Sequence, residues 1–316
     1  MFSRDNKTVI VFVGLQPLPE SAWVHVISSL AEITAVHDRR WLSEFRAIEI
    51  YSVCTDKARM HAHIAKTLPD FLQRYAIDYF ILDLATRSKK ILVTDVDSTL
   101  IQNECIDELA RMAGVEKTVS EMTASAMHGA IPFDEALRKR VALLRGLPAS
   151  ALEEVYANAI RLTPGARTLS TTLREQGLHL VMVSGGFTYF TARLSEELGF
   201  HHHHANTLEI RDGVLTGEVS GPIIDKETKR HVLIQHCATL RFDTSLAIAL
   251  GDGANDLPML ITAGDGIAYH AKPIVEQTVM NRIRYNDLTA VLFALGFADY
   301  QFSAIKEENS VKLKKT

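Results

Sequence analysis

Cysteine is scarce in this chain, with only Cys54, Cys105 and Cys237 among 316 residues. Their number is odd, their spacing is wide and no Cys-x-x-Cys occurs, which argues against a disulfide framework or a zinc ribbon and predicts free thiols in a reducing compartment. Long apolar runs are also missing. No stretch approaches the ~20 residues a membrane helix needs. The run over residues 9–15 is short and sits behind Arg4, Asp5 and Lys7, unlike a signal peptide. A cytoplasmic protein with no membrane partner is expected. An excess of one charge is lacking too: 34 basic against 38 acidic residues leave a net charge of -4, no electrostatic case for binding nucleic acid. There is no internal repeat. What is present, 47% apolar and 23% charged residues, is ordinary globular composition at a length that predicts about two domains.

Residues 1–85 read as strands alternating with helices. A β-branched run covers 8–13, helical periodicity 22–35, a strand 46–53, a second helix 60–75 and a short apolar strand 79–84. The order is read as βαββαβ, of whose four strands the patterning locates three; that plan is the one of many small α+β modules. No cluster of residues here suggests chemistry, so a packing or oligomerisation role is expected. A polar, basic linker follows over 85–90, and the pattern then changes to short, wholly apolar strands followed by helices, as in a doubly wound parallel sheet of an α/β domain. Some 80 residues separate the first two of these strands, far more than one crossover helix requires. Helical signals between them predict an inserted cap over about 103–162. The charged tail, 306–316, is expected to fray.

Open parallel sheets build their sites at the carboxyl ends of strands. The first such end carries Asp95-Val96-Asp97-Ser98-Thr99-Leu100. Two acids two residues apart can aim into one pocket, one attacking phosphorus and the other moving protons; the same pattern alone is also a turn or helix cap. The second end carries Ser184-Gly185-Gly186-Phe187, a hydroxyl with free backbone N–H groups suited to a phosphate oxygen, or a plain turn. The third carries Gly251-Asp252-Gly253-Ala254-Asn255-Asp256, acids that could complete an oxygen-rich magnesium site. Between them a charged helix start, residues 225–230, includes Lys229, a candidate to neutralise phosphate charge. The combination in this order is what carries weight.

That series resembles the motifs of the haloacid dehalogenase-like phosphatases. With Glu104 to Glu108, Met127, Phe133, the segment Leu137 to Val141, Ala205-Asn206 and Ala271-Lys272-Pro273, it is similar to the phosphoserine phosphatase family over about residues 89–295. The resemblance implies Asp95 as nucleophile and metal ligand, and Asp97 as general acid/base with its backbone carbonyl on the metal. It implies Asp252 as the remaining Mg2+ ligand, with Asp256 supporting the metal and Asn255 the substrate. Ser184, Gly185 and Lys229 would hold the phosphoryl oxygens. Phosphoserine carries an ammonium and a carboxylate, so Glu104 would accept the first and Arg140 grip the second. Met127 and Phe133 would supply an apolar wall. Read alone, Arg140 beside Arg138 and Lys139 is a solvated helix face and Phe133 a core residue. The expected reaction is hydrolysis of O-phospho-L-serine, the last step of serine biosynthesis, with phosphohomoserine hydrolysis or phosphoryl transfer to another alcohol as the alternative.

The segment 1–85 is similar to ACT modules but lacks a clear ligand-binding glycine turn, so it is expected to serve a homodimer contact rather than serine sensing. The run His201-His202-His203-His204 is read as an exposed or partly packed turn in preference to a metal site, because successive strand residues alternate faces and do not easily converge on one ion, with adventitious nickel or zinc binding as the alternative.

Overall fold

The β-branched run after Lys7 forms β1 (Thr8–Gly14), buried along its whole length. It is followed by α1 (Glu20–Ala31), β2 (Val36–Ser43), β3 (Ala47–Ser52), α2 (Lys57–Thr67), α3 (Pro69–Arg74) and β4 (Ile77–Asp83). This is a computed structural model, and it describes residues 7–34, 36–127 and 132–303. The four strands make an antiparallel sheet ordered β2-β3-β1-β4. The helix expected over 22–35 ends at Ala31, and the chain turns back as β2, an edge strand whose Asp38, Arg39 and Arg40 hid it from an apolar-pattern search. The helix expected over 60–75 breaks at Leu68, because Pro69 has no N–H to continue the ladder and opens α3 instead.

Both faces of β1 are covered. Ile10 and Phe12 pack with Trp23, Leu30 and Met60 of the unit's own helices. Val9, Val11 and Val13 point the other way, into a core shared with Leu92, Val291 and Phe293. Polar side chains tie the same face down. The Asp78 carboxylate accepts backbone N–H groups from Arg284 at 2.8 Å and Asn286 at 2.9 Å, and Asn281 Oδ1 accepts the Ile81 N–H at 2.9 Å. The stretch read as a polar linker is pinned as well: Arg87 donates to buried Glu49 at 2.6 Å and to the Ala294 carbonyl at 2.9 Å. Lys89, also buried, pairs with Asp265 at 2.6 Å.

The second sheet starts with β5 (Ile91–Thr94). Four helices then leave the sheet: α4 (Cys105–Met112), α5 (Glu116–Met127), α6 (Phe133–Ala142) and α7 (Ser150–Asn158). The chain returns through α8 (Ala166–Glu175), β6 (His179–Phe187), α9 (Thr188–Leu198), the hairpin β7 (His202–Arg211) and β8 (Val214–Ser220), and α10 (Lys226–Thr239). Then follow β9 (Ala247–Gly251), α11 (Leu257–Thr262), β10 (Asp265–Tyr269), α12 (Pro273–Thr278), β11 (Asn281–Ile283) and α13 (Ala290–Ala294). The order β11-β10-β9-β5-β6-β7-β8 is parallel except for the β7–β8 hairpin. β5 lies between β6 and β9, so the crossovers leave it in opposite directions, which opens a crevice at the carboxyl ends of these three strands. The histidine run read as a turn largely forms the start of β7. No helix among the described residues is long and apolar enough to cross a membrane. The tail over 306–316 lies outside the described residues.

Candidate active site

The crevice gathers the acids of two strand ends. β5 delivers Asp95 and Asp97, and Ser98 takes a left-handed backbone, φ 55°, turning the chain toward the cap. β9 delivers Asp252 and, one turn later, Asp256. Carboxylate oxygens of Asp95, Asp252 and Asp256 lie within 4.8 Å of one another, and all three residues are buried. Lys229, 1% exposed, reaches in from the first turns of α10 and donates to Asp95 at 2.8 Å and Asp256 at 2.7 Å. Asp256 also accepts the backbone N–H groups of Asp252 and Gly253, at 3.2 and 3.0 Å. These contacts lock the glycine-acid turn around the lysine.

The electrostatics of the cluster call for more positive charge. Burial, and then the neighbouring Asp256 carboxylate, push the Asp95 carboxyl well above the ordinary range despite Lys229. Asp252 is also raised, by burial first, although Lys272 stands 3.4 Å away and opposes the shift. Burial works against the charge on Lys229, but Asp256 and Asp95 outweigh it and hold its pKa above the usual lysine value. Three buried carboxyl groups thus face two ammonium groups, and one of these, Lys272, is half-exposed. An all-oxygen donor set with excess negative charge fits a hard divalent cation.

Asp97 stands apart from that cluster. Its Oδ1 accepts the Cys105 backbone N–H at 3.0 Å and its Oδ2 accepts the Ser184 hydroxyl at 3.1 Å, which links the β5 end to the β6 end. The Ser184 Oγ also accepts the Gly186 N–H at 2.8 Å. A side chain at Gly186 would meet Asp97 Oδ2, so Asp97 or the loop would have to shift to admit one. Asn206 Nδ2 donates to the Gly185 carbonyl at 2.8 Å and so holds that loop.

Above the carboxylates is a cavity of about 870 Å³, bordered by Asp95, Asp97, Asp252, Glu104, Phe133 and Arg140. Gly185 and Asn255 line it as well, while Ser184 and Lys229 lie beneath its surface. Glu104 accepts the Ser98 hydroxyl at 2.7 Å, and burial together with the charge on Asp97 raises its carboxyl to about 7. Arg140 is buried on α6, not on the solvated face its neighbours suggested. It donates to Thr123 Oγ1 at 3.1 Å and to the Ala136 carbonyl at 3.3 Å. Phe133 reaches over Gly185. Met127 ends α5, and its side chain lies outside the described residues.

Three contributors were given no role from sequence, although Lys272 and Ser98 lie within quoted motifs. Lys272, at the start of α12, faces Asp252; its position just past a strand end, before a helix-opening proline, was the available signal. Ser98 and Thr123 hold Glu104 and Arg140, and a lone hydroxyl gives no such signal in sequence.

The haloacid dehalogenase-like hydrolase family matches residues 92–260. The chain is 45% identical over 215 residues to a phosphoserine phosphatase of Polaromonas, covering 66% of this chain and 91% of that one. It is 47% identical over 221 residues to one of Streptomyces coelicolor, covering 70% of this chain but only 54% of that longer protein. The unliganded crystal structure of a probable phosphoserine phosphatase from Vibrio cholerae superposes with a TM-score of 0.75 at 32% identity, over 95% of this chain and 90% of that one. The chain belongs to the haloacid dehalogenase-like hydrolases and, within them, to the phosphoserine phosphatases.

Proposed function

We propose that this chain hydrolyses O-phospho-L-serine to L-serine and phosphate, with Mg2+ among Asp95, Asp252 and the Asp97 backbone carbonyl. The observation that carries the reading is the shared cavity: two β5 acids at its base and one group of each sign, Glu104 and Arg140, in its wall. The names of the Polaromonas and Streptomyces relatives support the same substrate.

In the proposed reaction an Asp95 carboxylate oxygen bonds to phosphorus as the bond from phosphorus to the serine oxygen breaks. The proton on Asp97 passes to that leaving oxygen. Asp97, then a carboxylate, takes a proton from water, whose oxygen attacks the aspartyl-phosphate; phosphate leaves and the Asp95 carboxylate is restored. The cation, when bound, neutralises charge on the phosphoryl oxygens. Lys229 and the Ser184-Gly185 loop contribute to the same end from fixed positions, so no reorganisation is needed as charge develops. Asp256 and Asn255 support the metal and the substrate. Phe133, with Met127, keeps water from the phosphoenzyme before its turn.

Magnesium-dependent phosphate release from O-phospho-L-serine, beside O-phospho-L-homoserine, phosphothreonine and a sugar phosphate, tests the reading. Selective release from phosphoserine, abolished by Asp95→Asn, is expected. Equal rates on all four remove the roles of Glu104 and Arg140, and faster release from phosphohomoserine makes that the substrate. A division into an ACT-like unit over 1–85 and a capped phosphatase unit over 86–316, a homodimer and a cytoplasmic location belong to the same proposal. A sedimentation mass of twice 35.1 kDa would support the dimer, and a monomer would exclude it.

A further inference from the structure

At the opposite end of the second sheet from the carboxylates, three histidines distant in sequence meet. His179 opens β6, His202 opens the adjacent β7, and His236 lies in the last turn of α10. One ring nitrogen from each lies within 4.8 Å of those of the other two. Ring centroids are 5.1 Å apart for His179 and His202, and 4.9 Å for His202 and His236. The His179 Nε2 is buried and has no hydrogen-bond partner. A buried polar atom left unpaired calls for an explanation, and a bound ion is one.

Alternation along β7 sorts the histidine run. His202 and His204 share the face toward α10, where His204 Nε2 lies 2.9 Å from His236 Nε2. His203 faces the other way, with its Nδ1 3.0 Å from Thr191 Oγ1 on α9. Successive residues do fail to converge on one ion, as strand geometry requires. The missing ligands come instead from the neighbouring strand and from the helix.

We propose that His179, His202 and His236 form a second metal site, for a borderline transition cation of the Zn2+ class, with His204 orienting the His236 ring. An all-imidazole donor set suits Zn2+, Cu2+ or Ni2+ and not Mg2+, which takes oxygen ligands. Five steps along β6 take the chain from His179 to Ser184, roughly 17 Å at the ~3.3 Å rise of a strand. The site is therefore remote from the carboxylates, and an ion held there would clip β6, β7 and α10 together.

The test is calorimetry and thermal unfolding of the untagged, chelator-treated chain with Zn2+, at saturating Mg2+. One Zn2+ per chain is expected, with a higher Tm. His202→Ala, a surface change with little risk to folding, and His236→Gln should each weaken binding at least tenfold. His203→Ala should leave binding within twofold. Co2+ in place of Zn2+ should show tetrahedral visible bands that vanish in His202→Ala. Magnesium-dependent phosphate release by His202→Ala should stay at the unsubstituted level. No binding overturns the proposal, as does equal weakening by His203→Ala, which would mean adventitious chelation by a histidine run.

Discussion

Asp95 is surrounded by Lys229 and two further carboxylates, whereas Asp97 meets a hydroxyl and a backbone amide, so the two acids should fail differently when changed. On the proposed mechanism, Asp95→Asn removes the attacking carboxylate and should leave no phosphoenzyme to trap after a quench. Asp97→Asn keeps the nucleophile but loses proton transfer, which is worth about 10²–10⁴ in rate; steady-state kcat on phosphoserine measures it. Glu104 gives a pH dependence with a definite sign. Its carboxyl is raised to about 7, so as pH falls through that value it gains a proton and loses its attraction for the substrate ammonium. KM for phosphoserine should climb as pH drops from 8 to 6, by up to roughly tenfold per unit below the pKa, and Glu104→Gln should flatten the curve at its weak-binding end. A KM that stays constant in the unsubstituted enzyme would remove Glu104 from ammonium recognition.

Strand ends position these residues, and one glycine shows how tightly. At Gly186 a methyl group would meet Asp97 Oδ2, and Ser184 Oγ at 3.0 Å. Gly186→Ala should therefore lower kcat by about 10²-fold through a displaced Asp97, with circular dichroism and Tm little changed; full activity would show that the loop yields. At this scale the sequence was most readable for short apolar strands followed by reactive residues. The short apolar strands expected after the linker, each leading into a reactive or glycine-rich segment, are found as β5, β6 and β9. It was least readable where polar residues make a strand, as in β2 and the start of β7, because period-2 patterning needs an apolar face to reveal it.

Across the whole molecule, the amino-terminal sheet is joined to the phosphatase core through a buried polar seam. Glu49 accepts Arg87, Arg40 and Tyr51, each at 2.6 Å. Arg87→Met would strand part of that carboxylate's compensation, at a cost of about 3 kcal/mol, the low end for a broken buried pair because Arg40 and Tyr51 remain. Denaturant midpoints measure the loss, and a change within 0.5 kcal/mol of zero, about the level of an ordinary surface substitution, would mean the seam contributes nothing. The β1 face carrying Val9, Val11 and Val13 is already occupied by the chain's own core, so a dimer has to use another surface.

The sequence by itself located the candidate site: the order Asp95-x-Asp97, Ser184-Gly185, Lys229 and Asp252 to Asp256 is local, with the acids and the Ser-Gly pair at strand ends and Lys229 at a helix start, all of which periodicity can find. Tertiary structure alone decided which distant groups meet. Arg140 is buried in a cavity wall and not solvated on its helix, Lys272 faces Asp252, Arg87 and Lys89 are internal ion-pair partners and not linker, and His179, His202 and His236 bring ring nitrogens within 4.8 Å of one another. The reason is physical. Spacing along a helix or strand fixes which face a residue takes, but partners across parallel strands and packed helices are set by register and crossover direction, which emerge only when the whole sheet is assembled.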